Sequence, residues 1–248
     1  MFKTISTSGL AILGALTASL VLPMTASAAP FTLDNIEPKG FDCASASPAA
    51  GPGSLSCLPD TPDHIEWVEG LNPVSSLDLL SLTAIINVNA GDPAVRINKL
   101  THTNVVIRVA FKYSIDILNT LQVTDEFDNA IVLVDPSTVN ISFTETLNSA
   151  PCAFPAPVGS ICDDFFGYDP GDLAPVKFLV GDLHYLLIFG LEAGDGTFVD
   201  GNRVYTAEGG TSTLFVTARI IQVPEPMTLA LIGLGLLGIG FTTRQRKM

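Results

Sequence analysis

Basic residues are scarce in this 248-residue chain. It holds 12 Lys and Arg against 25 Asp and Glu, which gives a formal net charge of −13 at pH 7. Lys3, Arg244, Arg246 and Lys247 lie in the terminal segments, so the body between them is more acidic still. A body of this charge repels phosphate backbones, and we therefore expect no nucleic-acid partner.

The common catalytic and metal-binding motifs are also missing. The chain has no Gly-x-Ser-x-Gly nucleophile elbow, no glycine-rich phosphate loop and no Cys-x-x-Cys pair. The three histidines, His64, His102 and His184, share no metal-ligand spacing such as His-x-x-x-His. The sequence therefore predicts a protein that is not an enzyme, with no catalytic residues, no cofactor and no metal centre.

Helical periodicity is absent as well, since no long stretch between residues 60 and 222 repeats its apolar positions every 3.6 residues. The clearest pattern is instead an alternation over residues 105–117, which predicts a strand with one buried face. The apolar side chains occupy every odd position: Val105, Ile107, Val109, Phe111, Tyr113, Ile115 and Ile117. Such a strand is long, so we expect a bend or bulge in it.

Shorter strand-like runs follow along the body, at residues 77–88, 131–134, 139–143, 176–180, 184–191, 204–205 and 214–220. Turn signals separate them, at residues 89–93, 135–136, 169–171 and 194–196. Short strands divided by turns predict an all-β fold, an antiparallel β-sandwich, over residues 65–222. Residues 29–64 are rich in Ala, Pro, Ser and Gly, and we expect regular structure to begin after them, near Ile65.

The N-terminus has the three parts of a secretory signal peptide. Lys3 precedes an apolar run at residues 10–22, and Ala26-Ser27-Ala28 forms a small-x-small cleavage site. We predict a signal peptide over residues 1–28, cleaved between Ala28 and Ala29.

Four cysteines follow this segment, an even number typical of disulfides in an exported chain. Four cysteines allow three pairings. The two short gaps favour Cys43 with Cys57 and Cys152 with Cys162. A four-cysteine zinc site is disfavoured because it requires Cys-x-x-Cys pairs.

The C-terminus is an apolar segment with a basic end. Residues 226–243 carry no charge, and Arg244, Arg246 and Lys247 follow them. A helix over this range would be about 27 Å long, at about 1.5 Å per residue. That length is just enough to cross a hydrocarbon core of about 30 Å. We predict a transmembrane helix whose basic end remains cytoplasmic.

Directly before this segment stands Pro224-Glu225-Pro226. The order of a Pro-Glu-Pro motif, a Gly/Leu-rich helix and a basic tail over residues 223–248 closely resembles the PEP-CTERM sorting signal. The resemblance implies that an exosortase recognises and processes the chain near the motif. It also implies transfer to the outer surface or the extracellular matrix of a bacterium with an outer membrane.

A second resemblance lies in the body. Residues 101–104, Thr-His-Thr-Asn, match the motif that names the THxN family of PEP-CTERM proteins. Residues 141–155 and 162–166 are similar to further segments of that family, and Trp67 and residues 76–77 also fit. The resemblance covers about residues 65–221 and implies no known activity.

The motif side chains admit two interpretations. In the first, His102 and Asn104 act as ligands or as a catalytic pair. In the second, which we favour, the role is structural: the side chains of Thr101, His102 and Asn104 satisfy backbone groups where a loop enters the strand.

The aspartates give one further hypothesis. Asp163, Asp164, Asp169 and Asp172 share one loop and are weak calcium candidates, since Ca²⁺ takes six to eight oxygen ligands. Solvated turn aspartates are the favoured interpretation.

The function predicted from these features is that of an exported surface or matrix protein, associated with exopolysaccharide or biofilm. An extracellular carbohydrate-binding module is the first alternative. A secreted glycoside hydrolase is the second, and it requires two carboxylates facing each other across a cleft.

Overall fold

The computed structural model describes residues 30–50, 54–57, 61–68, 74–87, 93–106, 111–125, 129–223 and 234–235. The predicted cleavage site, Ala28 and Ala29, and the sorting motif, Pro224, Glu225 and Pro226, lie outside these residues. The same holds for the predicted transmembrane segment, apart from Leu234 and Gly235. Within the described part of the chain, no helix has the length and apolar character needed to span a membrane.

The described residues form fourteen β-strands and one short 3-10 helix at Pro170–Leu173. The first seven strands are β1 (Pro30–Ala50), β2 (Ser54–Cys57), β3 (His64–Val68), β4 (Ser75–Ser81), β5 (Ala84–Asn87), β6 (Val95–Asn104) and β7 (Phe111–Thr124). The others are β8 (Ala130–Glu145), β9 (Asp164–Tyr168), β10 (Val176–Val180), β11 (Leu183–Ala193), β12 (Thr197–Asp200), β13 (Arg203–Thr206) and β14 (Gly210–Val223).

These strands build two sheets of seven strands each. The first has the order β12-β13-β9-β8-β7-β1-β5, and the second has the order β10-β11-β14-β6-β4-β3-β2. Every pairing in both sheets is antiparallel. The predicted all-β, sandwich-like architecture is therefore confirmed.

The alternating pattern produces the central strand of the first sheet, β7. Phe111, Tyr113, Ile115 and Ile117 are all buried, whereas the residues between them are exposed or half-buried. The strand is shorter at its N-terminal end than we predicted, because Val105 and Val106 lie outside any strand. The reason is topological: β6 belongs to the second sheet and β7 to the first, so the chain changes sheets between Asn104 and Phe111.

Strand β1 corrects our expectation that regular structure begins near Ile65. It starts at Pro30 and pairs with both β5 and β7. Its register shifts three times along β7, and bulges of this kind break the alternation by which a strand is recognised in sequence. Phe31, Leu33 and Phe41 are nevertheless buried, so this segment contributes to the core.

The predicted turn at Asp135-Pro136 is a bulge inside β8 instead. Opposite β7, the register shifts between the pairs Asn119–Ser137 and Leu121–Val134. Proline has no backbone N–H to give to the ladder, so strand proline is found at such irregularities. Proline, which often ends a strand, here interrupts the pairing of β8 with β7 without ending β8.

Two hydrophobic clusters fill the space between the sheets. Trp67, Tyr113 and Phe143 belong to the first cluster, and Phe31 and Leu187 to the second. Each of these side chains is at most 1% exposed.

Both predicted disulfides are present. Cys43–Cys57 joins β1 of the first sheet to β2 of the second, and Cys152–Cys162 closes the loop between β8 and β9. Rings of this size contribute about 3 kcal/mol each in the chain-entropy model.

Candidate functional site

The family-motif segments meet at one end of the sandwich. Residues 101–104 end strand β6, and residues 143–146 span the end of β8. Residues 162–164 lead into β9, whose first residue, Asp164, pairs with Thr206 at the end of β13. Trp67 lies near the end of β3. Segments far apart in sequence are therefore brought together by the antiparallel register.

His102 lies inside the sandwich rather than in a loop that enters a strand. Its ring stacks on Trp67 with centroids 5.3 Å apart, and it meets Phe143 and Phe166 edge-on. Its Nδ1 lies 2.9 Å from Thr206 Oγ1. The side chain is 2% exposed, and burial lowers the pKa of His102 to about 3. The imidazole is therefore neutral at working pH and serves as a packed aromatic ring.

Three carboxylates lie beside this ring cluster, and we call Glu145, Asp164 and Glu208 the acidic cluster. One oxygen of each lies within 4.8 Å of those of the other two. Glu145 and Asp164 are fully buried, and Glu208 is half-buried. Glu145 is buried because it continues the inward-facing positions of β8, after Ile141 and Phe143.

Neighbouring groups donate hydrogen bonds to the two buried carboxylates. Trp67 Nε1 donates to Glu145 Oε2 over 3.1 Å. The Thr146 backbone N–H donates to Asp164 Oδ1 over 2.6 Å. Asn104 Nδ2 donates to Asp164 Oδ2 over 2.7 Å, which links the THxN-like segment directly to the acidic cluster.

Several oxygens at the cluster have no hydrogen-bond partner within the described structure. They are Glu145 Oε1, Asn104 Oδ1 and the hydroxyl of nearby Tyr113. The Glu208 carboxylate lies beside the side chains of Asn148, Asp164 and Asn104. Burial, reinforced by a neighbouring carboxylate in each case, raises the pKa of Glu145, Asp164 and Glu208 to about 8. The lysines and arginines that the structure describes form no ion pair with these three groups. The donor set of the acidic cluster is therefore made of oxygen atoms alone.

The four predicted calcium candidates do not form one site. Asp163 accepts from the backbone N–H groups of Val158 and Ser160. Asp169 caps the 3-10 helix by accepting from the Gly171 N–H, and Asp172 accepts from the backbone N–H of Asn140. Among them, Asp164 alone belongs to the acidic cluster.

Sequence reasoning missed Glu145 and Glu208 as site residues. The sequence does carry a signal that Glu145 is buried. In an alternating strand it lies on the same face as Val139, Ile141 and Phe143. Glu208 lies in the short connection between β13 and β14, where no periodicity marks a residue as buried.

Two cavities lie among the described residues near these strands. An apolar cavity of about 90 Å³ lies between the sheets, and His102 and Phe166 are among its lining residues. A polar surface hollow of about 450 Å³ is lined by Asn140, Ser142, Gly167, Tyr168, Asp169, Pro170 and Asn202.

Comparison with known proteins identifies the C-terminal segment. Residues 222–247 match a family model described as the PEP-CTERM protein-sorting motif. The matched range contains Pro224-Glu225-Pro226 and the apolar stretch behind it, and it indicates an exported protein that is sorted by an exosortase. No curated protein matches the chain. Membership of the THxN family remains a prediction.

Proposed function

We propose that this chain is a non-enzymatic protein of the outer cell surface or extracellular matrix, where it associates with exopolysaccharide. The match of residues 222–247 to the sorting motif supports the part of this proposal that concerns export and sorting. The disulfide-linked β-sandwich is then the exported domain, and the C-terminal tail is its sorting signal. An oxidising exterior suits the two disulfides, because such bonds persist outside the cytoplasm.

The burial of the motif residues supports a non-enzymatic role. His102, Glu145 and Asp164 are each at most 2% exposed, so a polymeric substrate cannot reach them in this structure. Glycoside hydrolases place two carboxylates about 5–10 Å apart on either side of the scissile bond. The carboxylates of the acidic cluster instead lie inside the protein, since Glu145 and Asp164 are both buried, and they do not face each other across an open cleft.

The position of the motif supports processing at the membrane surface. Strand β14 ends at Val223, immediately before Pro224. Prolines on both sides of Glu225 remove two backbone donors and favour an extended chain. We infer that a membrane-embedded transpeptidase recognises this Pro-Glu-Pro segment.

Changing Pro224, Glu225 and Pro226 to alanine is expected to block processing and leave the uncleaved chain in the inner membrane. Immunoblots of inner-membrane, outer-membrane and matrix fractions measure this directly. Met227→Ala, next to the motif, is the control and should mature normally. Normal maturation and release of the triple variant would contradict sorting through the motif.

Polysaccharide binding at the surface hollow is a second candidate, favoured by its lining of amide, hydroxyl and carboxylate groups around Tyr168. Polar groups of this kind orient sugar hydroxyls, and the exposed part of a tyrosine ring offers an apolar face. Tyr168→Ala is expected to abolish retardation of the protein in gels containing the cell's own exopolysaccharide. Leu80→Ala, exposed on the other sheet, is the control. Equal retardation of both variants and the wild type would exclude the hollow.

A further inference from the structure

The acidic cluster lies outside residues 222–247, which match the sorting motif. We propose that Glu145, Asp164 and Glu208, with Asn104 Oδ1, form a structural binding site for one divalent cation, and that Ca²⁺ is the ion it suits. This inference is independent of the proposed function, and it revises the expectation of no metal centre.

The spacing of the carboxylates fits a single ion. Ca²⁺ binds oxygens at about 2.3–2.6 Å, so two ligands on opposite sides of it lie about 5 Å apart. One oxygen from each of Glu145, Asp164 and Glu208 already falls within 4.8 Å of the others. One ion between them therefore contacts all three carboxylates with only small side-chain adjustments.

Asn104 gives an observation that does not depend on the carboxylates. Its side chain is 3% exposed, its Nδ2 touches Asp164, and its Oδ1 has no hydrogen-bond partner. A buried polar atom without a partner destabilises the folded state. Rotation of the side-chain amide by about 180° exchanges its oxygen and nitrogen and turns Oδ1 toward Asp164, where an ion would satisfy it together with Glu145 Oε1.

The charge of the acidic cluster also supports a bound cation. Three carboxylates share a largely buried space, and no described lysine or arginine is paired with them. Buried charge requires a partner, and the protein otherwise holds such groups protonated.

The donors favour Ca²⁺ over transition metals. All four are oxygens, whereas zinc and copper sites use imidazole or thiolate. His102 Nε2 is buried without a hydrogen-bond partner, but it is not among the ligand atoms that converge at the acidic cluster. Both disulfides leave no free cysteine among the described residues. Hard oxygen donors with varied geometry are the set that Ca²⁺ takes.

The site would clamp the two sheets together at one end of the sandwich. Asn104 comes from β6 of the second sheet, whereas Glu145 and Asp164 come from β8 and β9 of the first. Glu208 lies in the connection from β13 to β14, which crosses from one sheet to the other. Bound cation would therefore resist separation of the sheets, and its removal would loosen this end.

Terbium luminescence tests the site, because Trp67 is the chain's single tryptophan and its Nε1 donates to the proposed ligand Glu145. The full chain is purified in detergent and stripped with EDTA. Excitation of the indole is then expected to sensitise emission from bound Tb³⁺. Added Ca²⁺ is expected to displace the Tb³⁺ and abolish this emission. Addition of Ca²⁺ alone should raise the melting temperature, since a ligand bound only by the folded state stabilises it.

Two variants and one control make the result specific. Glu208→Ala removes the half-buried ligand with the least damage to the core, and Asp164→Asn removes a central charge. Each is expected to raise the half-saturating Ca²⁺ concentration at least about tenfold, because ligand charge sets the affinity of calcium sites. Asp200→Asn, exposed at the end of β12, should behave as wild type. Circular dichroism establishes that each variant is folded.

Absence of sensitised emission from the folded wild-type chain would overturn the proposal. An unchanged Ca²⁺ response in folded Glu208→Ala would overturn it equally, because the ion would then bind elsewhere. Neither result would affect the sorting experiment, which reads cleavage and localisation.

Discussion

Replacing Trp67 with alanine is expected to lower the free energy of unfolding by about 3–5 kcal/mol, the usual range for a buried tryptophan. The indole is 0% exposed and bridges the sandwich from β3 in the second sheet. Its ring lies 4.7 Å from Phe143 and 5.2 Å from Tyr113, both in the first sheet, and stacks on His102. Truncation opens a cavity between these rings and removes the hydrogen bond to Glu145.

Trp67→Phe separates these two losses. Phenylalanine retains most of the ring contacts but has no N–H, so Glu145 Oε2 loses its donor. We expect an intermediate loss of about 1–3 kcal/mol, the cost of leaving a buried acceptor unpaired. Leu80→Ala, at a side chain 55% exposed, should change stability by less than about 0.5 kcal/mol. Urea unfolding followed by circular dichroism measures all three, and a Trp67→Ala loss below 0.5 kcal/mol would contradict the packing described.

The features that the sequence predicted well are those set by short-range periodicity. The alternation in β7 and β8 identifies buried faces because side chains in a strand point alternately to opposite sides. The disulfide pairing followed from short gaps. In contrast, β1 is held by its partners β5 and β7 and by bulges, so its own residues carry little periodic signal.

The candidate site depends on contacts between residues far apart in the chain, which composition and spacing do not specify. His102 meets Thr206, and Asn104 meets Asp164, because β6, β9 and β13 end or begin at the same edge of the sandwich. The sequence placed the THxN-like segment in a loop before a strand. The structure places it at the end of β6, where His102 and Asn104 both point inward.

Acidification is expected to destabilise the wild-type chain relative to His102→Phe. Burial lowers the pKa of His102 to about 3, whereas an unfolded histidine titrates near 6.5. Between these values the unfolded state binds a proton that the folded state does not, so stability falls as pH falls. The difference between wild type and variant should shift by about 1.4 kcal/mol per pH unit from about pH 6 to pH 4. The carboxylates of the acidic cluster have raised pKa values and act in the opposite direction, but both proteins share them, so their contribution cancels in the difference.

His64→Gln is the control with the opposite sign. Hydrogen bonds to Glu66 and Asp78 raise the pKa of His64, so its stabilising contribution is present at low pH and is lost as pH rises.

At neutral pH the wild type should be more stable than His102→Phe, because phenylalanine leaves Thr206 Oγ1 without its ring partner. Below about pH 5 the order should reverse, since the penalty for keeping His102 neutral then exceeds the value of one hydrogen bond. Urea midpoints followed by Trp67 fluorescence in EDTA at pH 4–7.5 measure the crossing. Parallel pH dependences for wild type and His102→Phe would show that His102 can take up a proton in the folded state, and therefore that it is not sealed between the sheets.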